Sequence, residues 1–209
     1  MRIGEEFPDP ARGDAGFVVS GEWAVGSADR LVAAADAVIA ARRSVPWPEG
    51  LLAYSLFIDA DGDVLRDYAQ WTDEAAARRQ PERGRDHIVY HLYRGSRSAA
   101  GTPPGAMVAV RVDTDDGALA RTWVDAVFEA LDQDTALPAG GLGAFFHVST
   151  DGRHVLNYAE WVSADAHRKA LAATGRGISS GPLWDKVQTM PGVRPQSVTR
   201  YHLYRTLTA

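Results

Sequence analysis

The strongest constraint on this chain is that it contains one phrase twice. Residues 61–71, Asp61-Gly62-Asp63-Val64-Leu65-Arg66-Asp67-Tyr68-Ala69-Gln70-Trp71, return as residues 151–161, Asp151-Gly152-Arg153-His154-Val155-Leu156-Asn157-Tyr158-Ala159-Glu160-Trp161, at an offset of 90 (161 − 71). At the same offset Pro48 falls on Pro138, Gly50 on Gly140 and Leu52 on Leu142. His91-Leu92-Tyr93-Arg94 also returns intact, as His202-Leu203-Tyr204-Arg205, but at an offset of 111 (202 − 91). A fixed internal period predicts a repeated structural unit. Two similar domains are therefore expected, the second carrying 21 extra residues (111 − 90) between its Trp and its last strand.

The 209 residues divide into two units of roughly a hundred residues, each long enough for a packed α+β core. A net charge of −5 argues against a nucleic-acid or anionic-membrane surface, which needs a basic stripe. The chain has no cysteine, which removes disulfides, thiolate metal sites and cysteine nucleophiles. Residues 1–16 are polar and Pro/Gly-bearing, a tail rather than a signal peptide. With no apolar run near the ~18 residues a membrane helix needs, the expected setting is soluble and cytoplasmic.

Strands are predicted over Phe17–Val25, Leu51–Ile58, Val64–Trp71 and His87–Arg94, with helices over Ala28–Arg43 and Asp73–Arg79. Asp61-Gly62 closes a hairpin, with Gly62 available for positive φ. Residues 96–105 read as a Gly/Ser/Pro linker. The pattern then restarts: strands Ala106–Asp113, Leu142–Ser149, His154–Trp161 and Gln196–Arg205, with an amphipathic helix over Leu119–Leu131 and a Ser163-capped helix reaching about Ala173. The extra segment, Thr174–Pro191, holds Ile178, Leu183 and Trp184 among glycines, with a short helical turn over Pro182–Met190. Each repeat, 17–95 and 106–209, is thus a β-α-β-β-α-β, ferredoxin-like domain. Such a unit leaves one sheet face uncovered, so the two are expected to pack sheet to sheet, an intrachain pseudo-dimer with a further homodimer left open.

The phrase Asp151-Gly152, then Asn157-Tyr158-Ala159-Glu160-Trp161, then Tyr201-His202-Leu203-Tyr204-Arg205 resembles the antibiotic biosynthesis monooxygenase family. That resemblance implies a dimeric α+β barrel and a monooxygenase acting on an aromatic polyketide or polycyclic phenol. Of the family's chemistries, it points first to cofactor-free oxidation of an anthrone to a quinone. It also implies that Asn157 and Trp161, four residues apart on the third strand, are the catalytic pair. A reduced flavin used as cosubstrate is the alternative within enzymes. A non-catalytic small-molecule binding or stress-response barrel is the alternative outside them.

Elementary chemistry supports such a pair. Residues i and i+4 of a strand share a face ~13 Å apart, and Ala159 between them leaves room for a flat substrate. Asn offers an amide donor and acceptor, and Trp an indole N–H and a broad face. O2 is the second substrate, and a proton must be moved. His147, His202 and Tyr201 are the candidates, and spacing does not choose among them. Tyr158, Tyr201, Trp184, Leu183 and Phe145 are the expected substrate contacts, with Thr174–Pro191 as a flap. Asp67 stands where repeat two has Asn157, so the working site is expected in repeat two. The blander reading makes Trp71 and Trp161 core anchors and His-Leu-Tyr-Arg structural. No metal site and no tightly held dinucleotide is expected, because ligand spacings and a phosphate loop are missing.

Overall fold

The computed structural model describes residues 1–79, 87–98, 101–133, 138–173 and 180–209, and in it both Asp-Gly phrases sit at the tips of antiparallel hairpins. In chain order the elements are β1 (Arg2–Gly4), β2 (Phe17–Ser20), β3 (Glu22–Ala24), a 3-10 turn (Ala28–Arg30) leading into α1 (Leu31–Arg43), β4 (Leu51–Asp59), β5 (Val64–Trp71), α2 (Glu74–Arg78) and β6 (Ile88–Arg97). There follow β7 (Ala106–Thr114), α3 (Gly117–Gln133), β8 (Gly141–Ser149), β9 (His154–Trp161), α4 (Ala164–Ala172), α5 (Pro182–Gln188) and β10 (Val193–Thr208). The order β-α-β-β-α-β occurs twice, the second time with α5 added. This is a ferredoxin-type α+β arrangement.

Side-chain caps fix where the helices start. Asp73 Oδ1 accepts from the Ala76 N–H at 2.8 Å, and Ser163 Oγ accepts from the Ala166 N–H at 3.1 Å. Asp116 Oδ1 accepts from the N–H groups of Ala118 and Leu119, so α3 begins two residues before the apolar periodicity does. Ser27, which precedes the first helical stretch, makes no such bond.

The two hairpins share one register. In β4–β5, Tyr54 opposes Ala69 and Leu56 opposes Asp67; in β8–β9, Ala144 opposes Ala159 and Phe146 opposes Asn157. Both carry an irregularity at the same place, between Leu51 and Ala53 and between Gly141 and Gly143. Repeated sequence has produced repeated pairing down to the bulge.

The chain forms two units, residues 1–92 with 200–209, and residues 93–199. Unit 1 has the strand order β1-β10-β4-β5-β2-β6, with β3 also on β5. Its core gathers Leu31, Ala35 and Ile39 of α1 against Tyr54, Leu56, Leu65 and Trp71 of the sheet. Unit 2 has the order β6-β8-β9-β7-β10. Its core packs Trp123, Val124, Val127 and Phe128 of α3 against Phe146, Val148 and Val155, with Trp184 and Val187 of α5 closing one side. Phe146 meets Trp123 and Phe128 edge-on at 6.1 and 5.5 Å, contacts worth about 0.5–1.5 kcal/mol each beyond area burial. The strands β6 and β10 carry residues of both units.

The units therefore differ from a cut through the linker. Residues 1–16, read as a tail, supply β1, which pairs with the end of β10 (Ile3 opposite Leu207). Residues 200–209 belong to unit 1, because Tyr201–Thr208 pairs with β4 rather than with strands of the second repeat. Ser96 and Arg97 extend β6 into the presumptive linker, of which Ala99 and Ala100 lie outside the described residues. The first long strand is broken at Gly21, whose N–H is taken by Asp67 Oδ1 at 2.9 Å. Residues 174–179 of the flap, including Ile178, also lie outside the described residues. Among the described residues no helix is long and apolar enough to cross a membrane.

The two hairpin tips differ in backbone. Gly152 has φ +73, and a Cβ there would meet the Gly117 N and Cα at 2.6 and 2.7 Å. Gly62 has no positive φ, contrary to the expectation; Asp59 Oδ1 instead shapes that turn by accepting from the Asp61 N–H at 2.9 Å. Gly152→Ala is expected to lower stability by at least about 1–3 kcal/mol from backbone strain. Gly62→Ala, which meets only the movable Asp59 carboxylate, should cost less than half as much. Urea unfolding of the two variants reads the difference.

Candidate active site

Alternation along β9 sends Asn157, Ala159 and Trp161 to the face that α3 covers, and Tyr158 and Glu160 to the other. Across the ladder, Asn157 lies between Val110 of β7 and Phe146 of β8, and Ala159 between Val108 and Ala144. Small residues at 144 and 159 leave the sheet low here. Between that floor and the helices lies a cavity of about 340 Å³ within unit 2. Trp123, Val127 and Phe128 of α3 and Trp184 and Val187 of α5 form its roof. Trp123 Nε1–H donates to the Val187 carbonyl at 3.2 Å, which ties α5 to α3.

The polar content of this cavity is small and specific. Asn157 Oδ1 is buried and has no hydrogen-bond partner. A buried acceptor left unpaired costs about 1–3 kcal/mol, an expense recovered when a donor arrives. Trp161 is 6% exposed, and the His167 ring meets it edge-on, centroids 4.8 Å apart at 70°. His167 comes from α4, one turn after the Ser163 cap, and it too lines the cavity. Gly140 permits that approach: with φ +89, it passes where a Cβ would strike Ala166 at 2.7 Å. Apart from His167, the one titratable side chain among the described lining residues is the exposed Asp132. The described residues contain no group of three or more His, Cys, Asp or Glu able to hold a metal ion.

Of the residues singled out from sequence, Asn157, Trp161 and Trp184 line this cavity. Phe145, His147 and Tyr158 are buried on the opposite face of the sheet, because each is one residue out of phase with those that face the helices. There the His147 Nδ1–H donates to the Phe145 carbonyl at 3.0 Å, so this imidazole does not serve the cavity. On the same face Arg97 binds Glu160 through two 2.8 Å bonds and lies 5.0 Å over the Phe145 ring. Leu183 packs against the α3–α5 core without entering the lining.

Tyr201 and His202 belong to unit 1. Tyr201 O–H donates to Glu22 at 3.1 Å and its ring lies 5.5 Å from the Arg66 guanidinium. Burial, with Glu22 adding to it, pushes the Tyr201 phenol above its ordinary value. His202 is exposed and faces Ile58 across the ladder. Neither matches the role of a proton carrier at Asn157. His167, which does line the site, is not among the residues that the sequence singles out. The signal was there: a His one turn inside a capped helix, where repeat one has Ala77.

Unit 1 uses the equivalent positions differently. Tyr54 stands where unit 2 has Ala144, is fully buried, and lies 4.3 Å under the Arg42 guanidinium. Asp67, the counterpart of Asn157, is fully engaged. It accepts from the Gly21 N–H at 2.9 Å, from His87 Nε2–H at 2.8 Å and from Tyr54 O–H at 3.4 Å. A phenol ring and a satisfied carboxylate thus occupy what in unit 2 is open space and an unsatisfied amide.

No protein-family model and no curated protein matches the chain. Among solved structures, an anthrone oxidase-like protein is similar over 100% of this chain and 97% of its own, with a TM-score of 0.75 at 12% identity. A monooxygenase-like protein from Listeria innocua is similar over 91% of this chain and 95% of its own, with a TM-score of 0.53 at 12% identity. At such identities the likeness is one of fold, the α+β fold shared with monooxygenase-like proteins.

Ala144→Tyr, which copies the plug of unit 1, is expected to fill the cavity and leave the fold intact. Titration of an anthraquinone against the protein's Trp fluorescence should then show binding weakened at least tenfold, with unchanged circular dichroism.

Proposed function

We propose that this chain is a monooxygenase that oxidises a polycyclic phenol of the anthrone type with O2 and without a bound cofactor. The observation that carries this reading is Asn157, an amide with a buried, unpaired oxygen set into a mostly apolar cavity of aromatic size. The anthrone oxidase-like neighbour adds weight at the level of fold.

In this mechanism the substrate lies over Ala159 beside Trp161, with a phenolic O–H donated to Asn157 Oδ1. His167 takes a proton from the activated methylene carbon, and the charge spreads over the ring system. The carbanion passes one electron to O2, and the resulting radical pair joins as a C–O bond. The peroxide receives the proton back from His167 and loses water, leaving a carbonyl. One O2 and one CH2 become one C=O and one H2O, so no outside reductant is needed. The apolar roof keeps water from quenching the anion, and the phenolic O–H held by Asn157 Oδ1 fixes the ring system with its methylene toward His167. His167 replaces His147, His202 and Tyr201 in this scheme because it shares the cavity with Asn157 and Trp161.

A phosphate-bearing flavin fits this lining poorly. The described lining residues include no Lys or Arg to meet its phosphate, and one Asp to repel it.

The test is O2 uptake with dithranol and no added cofactor. Wild type should exceed the spontaneous rate, and Asn157→Ala should lose about a hundredfold or more in kcat. The His167→Phe variant keeps the ring packing on Trp161. It should lose about a hundredfold as well, while dithranol still binds. Uptake no faster than the spontaneous rate, with dithranol still bound, would replace this reading by a binding protein.

A further inference from the structure

Resting on that reading of the cavity, we infer that its substrate is an uncharged, hydroxylated polycycle of about three fused rings, and that carboxylated analogues are rejected. The volume of about 340 Å³ falls at the lower end of small-molecule sites, ~300–1,000 Å³. The discrimination comes from charge. The described lining offers one charged side chain, Asp132 at the exposed rim, and that charge is negative.

Among the described residues, three cations beside the lining are paired elsewhere. Arg94, 4.2 Å over the Phe128 ring, pairs with Asp125 at 3.0 Å. Arg97 is held by Glu160, and Arg194, between the lining residues Val193 and Pro195, pairs with Asp115 at 2.6 Å. Inside, Asn157 Oδ1 demands a donor. A hydroxyl supplies one. An added carboxylate would enter the site without a counter-ion, where burying the charge is costly even with the hydroxyl in place. The whole chain, at −5, adds no compensating field.

Chrysophanol and rhein separate the possibilities, since they share one dihydroxyanthraquinone ring system and differ by a methyl against a carboxylate. Calorimetric titration of wild type should show chrysophanol binding at least a hundredfold more tightly than rhein. Asp132→Lys, a change at an exposed helix position, should recover rhein binding at least tenfold. Equal affinity for the two in wild type, or binding of neither, overturns the inference. The readout is affinity, not turnover, so selective binding without O2 uptake would reject the oxidation and leave the specificity standing. Uptake accompanied by equal affinities would do the reverse.

Discussion

The register of the β8–β9 hairpin is the constraint on which the rest of unit 2 depends. With side chains alternating every residue, one slip would move Asn157, Ala159 and Trp161 to the face now holding Tyr158 and Glu160. The Asp151-Gly152 tip and the irregularity at Gly141–Gly143 hold that register from both ends. The buried Glu160 carboxylate, held by the exposed Arg97, opposes any slip, because that carboxylate would then face the α3 core without its partner. Everything chemical about the cavity follows from which side chains this ladder sends toward the helices.

The two units show how far one backbone plan can diverge in use. Asp67 and Asn157 occupy matching ladder positions, opposite Leu56 and Phe146. In unit 1 the carboxylate is spent on structure: it bridges the break at Gly21 and holds His87 and Tyr54. In unit 2 the neutral amide keeps an acceptor unspent. Three further differences reinforce the contrast. Ala144 replaces a plugging Tyr, His167 replaces Ala77, and the inserted segment contributes α5 as a wall. Each of these opens or equips the second cavity, and none is needed for the shared fold.

The repeat, its β-α-β-β-α-β order, the cap at Ser163, and the placing of Asn157 and Trp161 on one strand face are all legible in the chain, whereas the cap of α2 falls on Asp73 and not on the Thr72 before it. These are local properties, set by residue periodicity, turn chemistry and spacing. What the sequence could not convey was which neighbours each face would meet. His147 and Phe145 were plausible because they lie beside β9 in the hairpin; the pleat then turned them to the other side. The approach of His167 to Trp161 is not legible in the sequence, because it depends on how closely α4 packs on Gly140.

By itself, then, the sequence determined that the chain builds the same supersecondary unit twice and that the copies differ at the position of Asn157. Tertiary structure alone decided which of those differences make a cavity. Alternation assigns a residue to a face, but only the packing of helices on that face makes it core, lining or rim. It also decided that residues 200–209 complete the sheet of unit 1, a long-range pairing of backbone groups that no local pattern encodes. The physical reason is the same in both cases. Hydrogen-bond ladders and helix–sheet contacts join residues far apart in the chain, and their outcome depends on the whole set of surfaces available for burial.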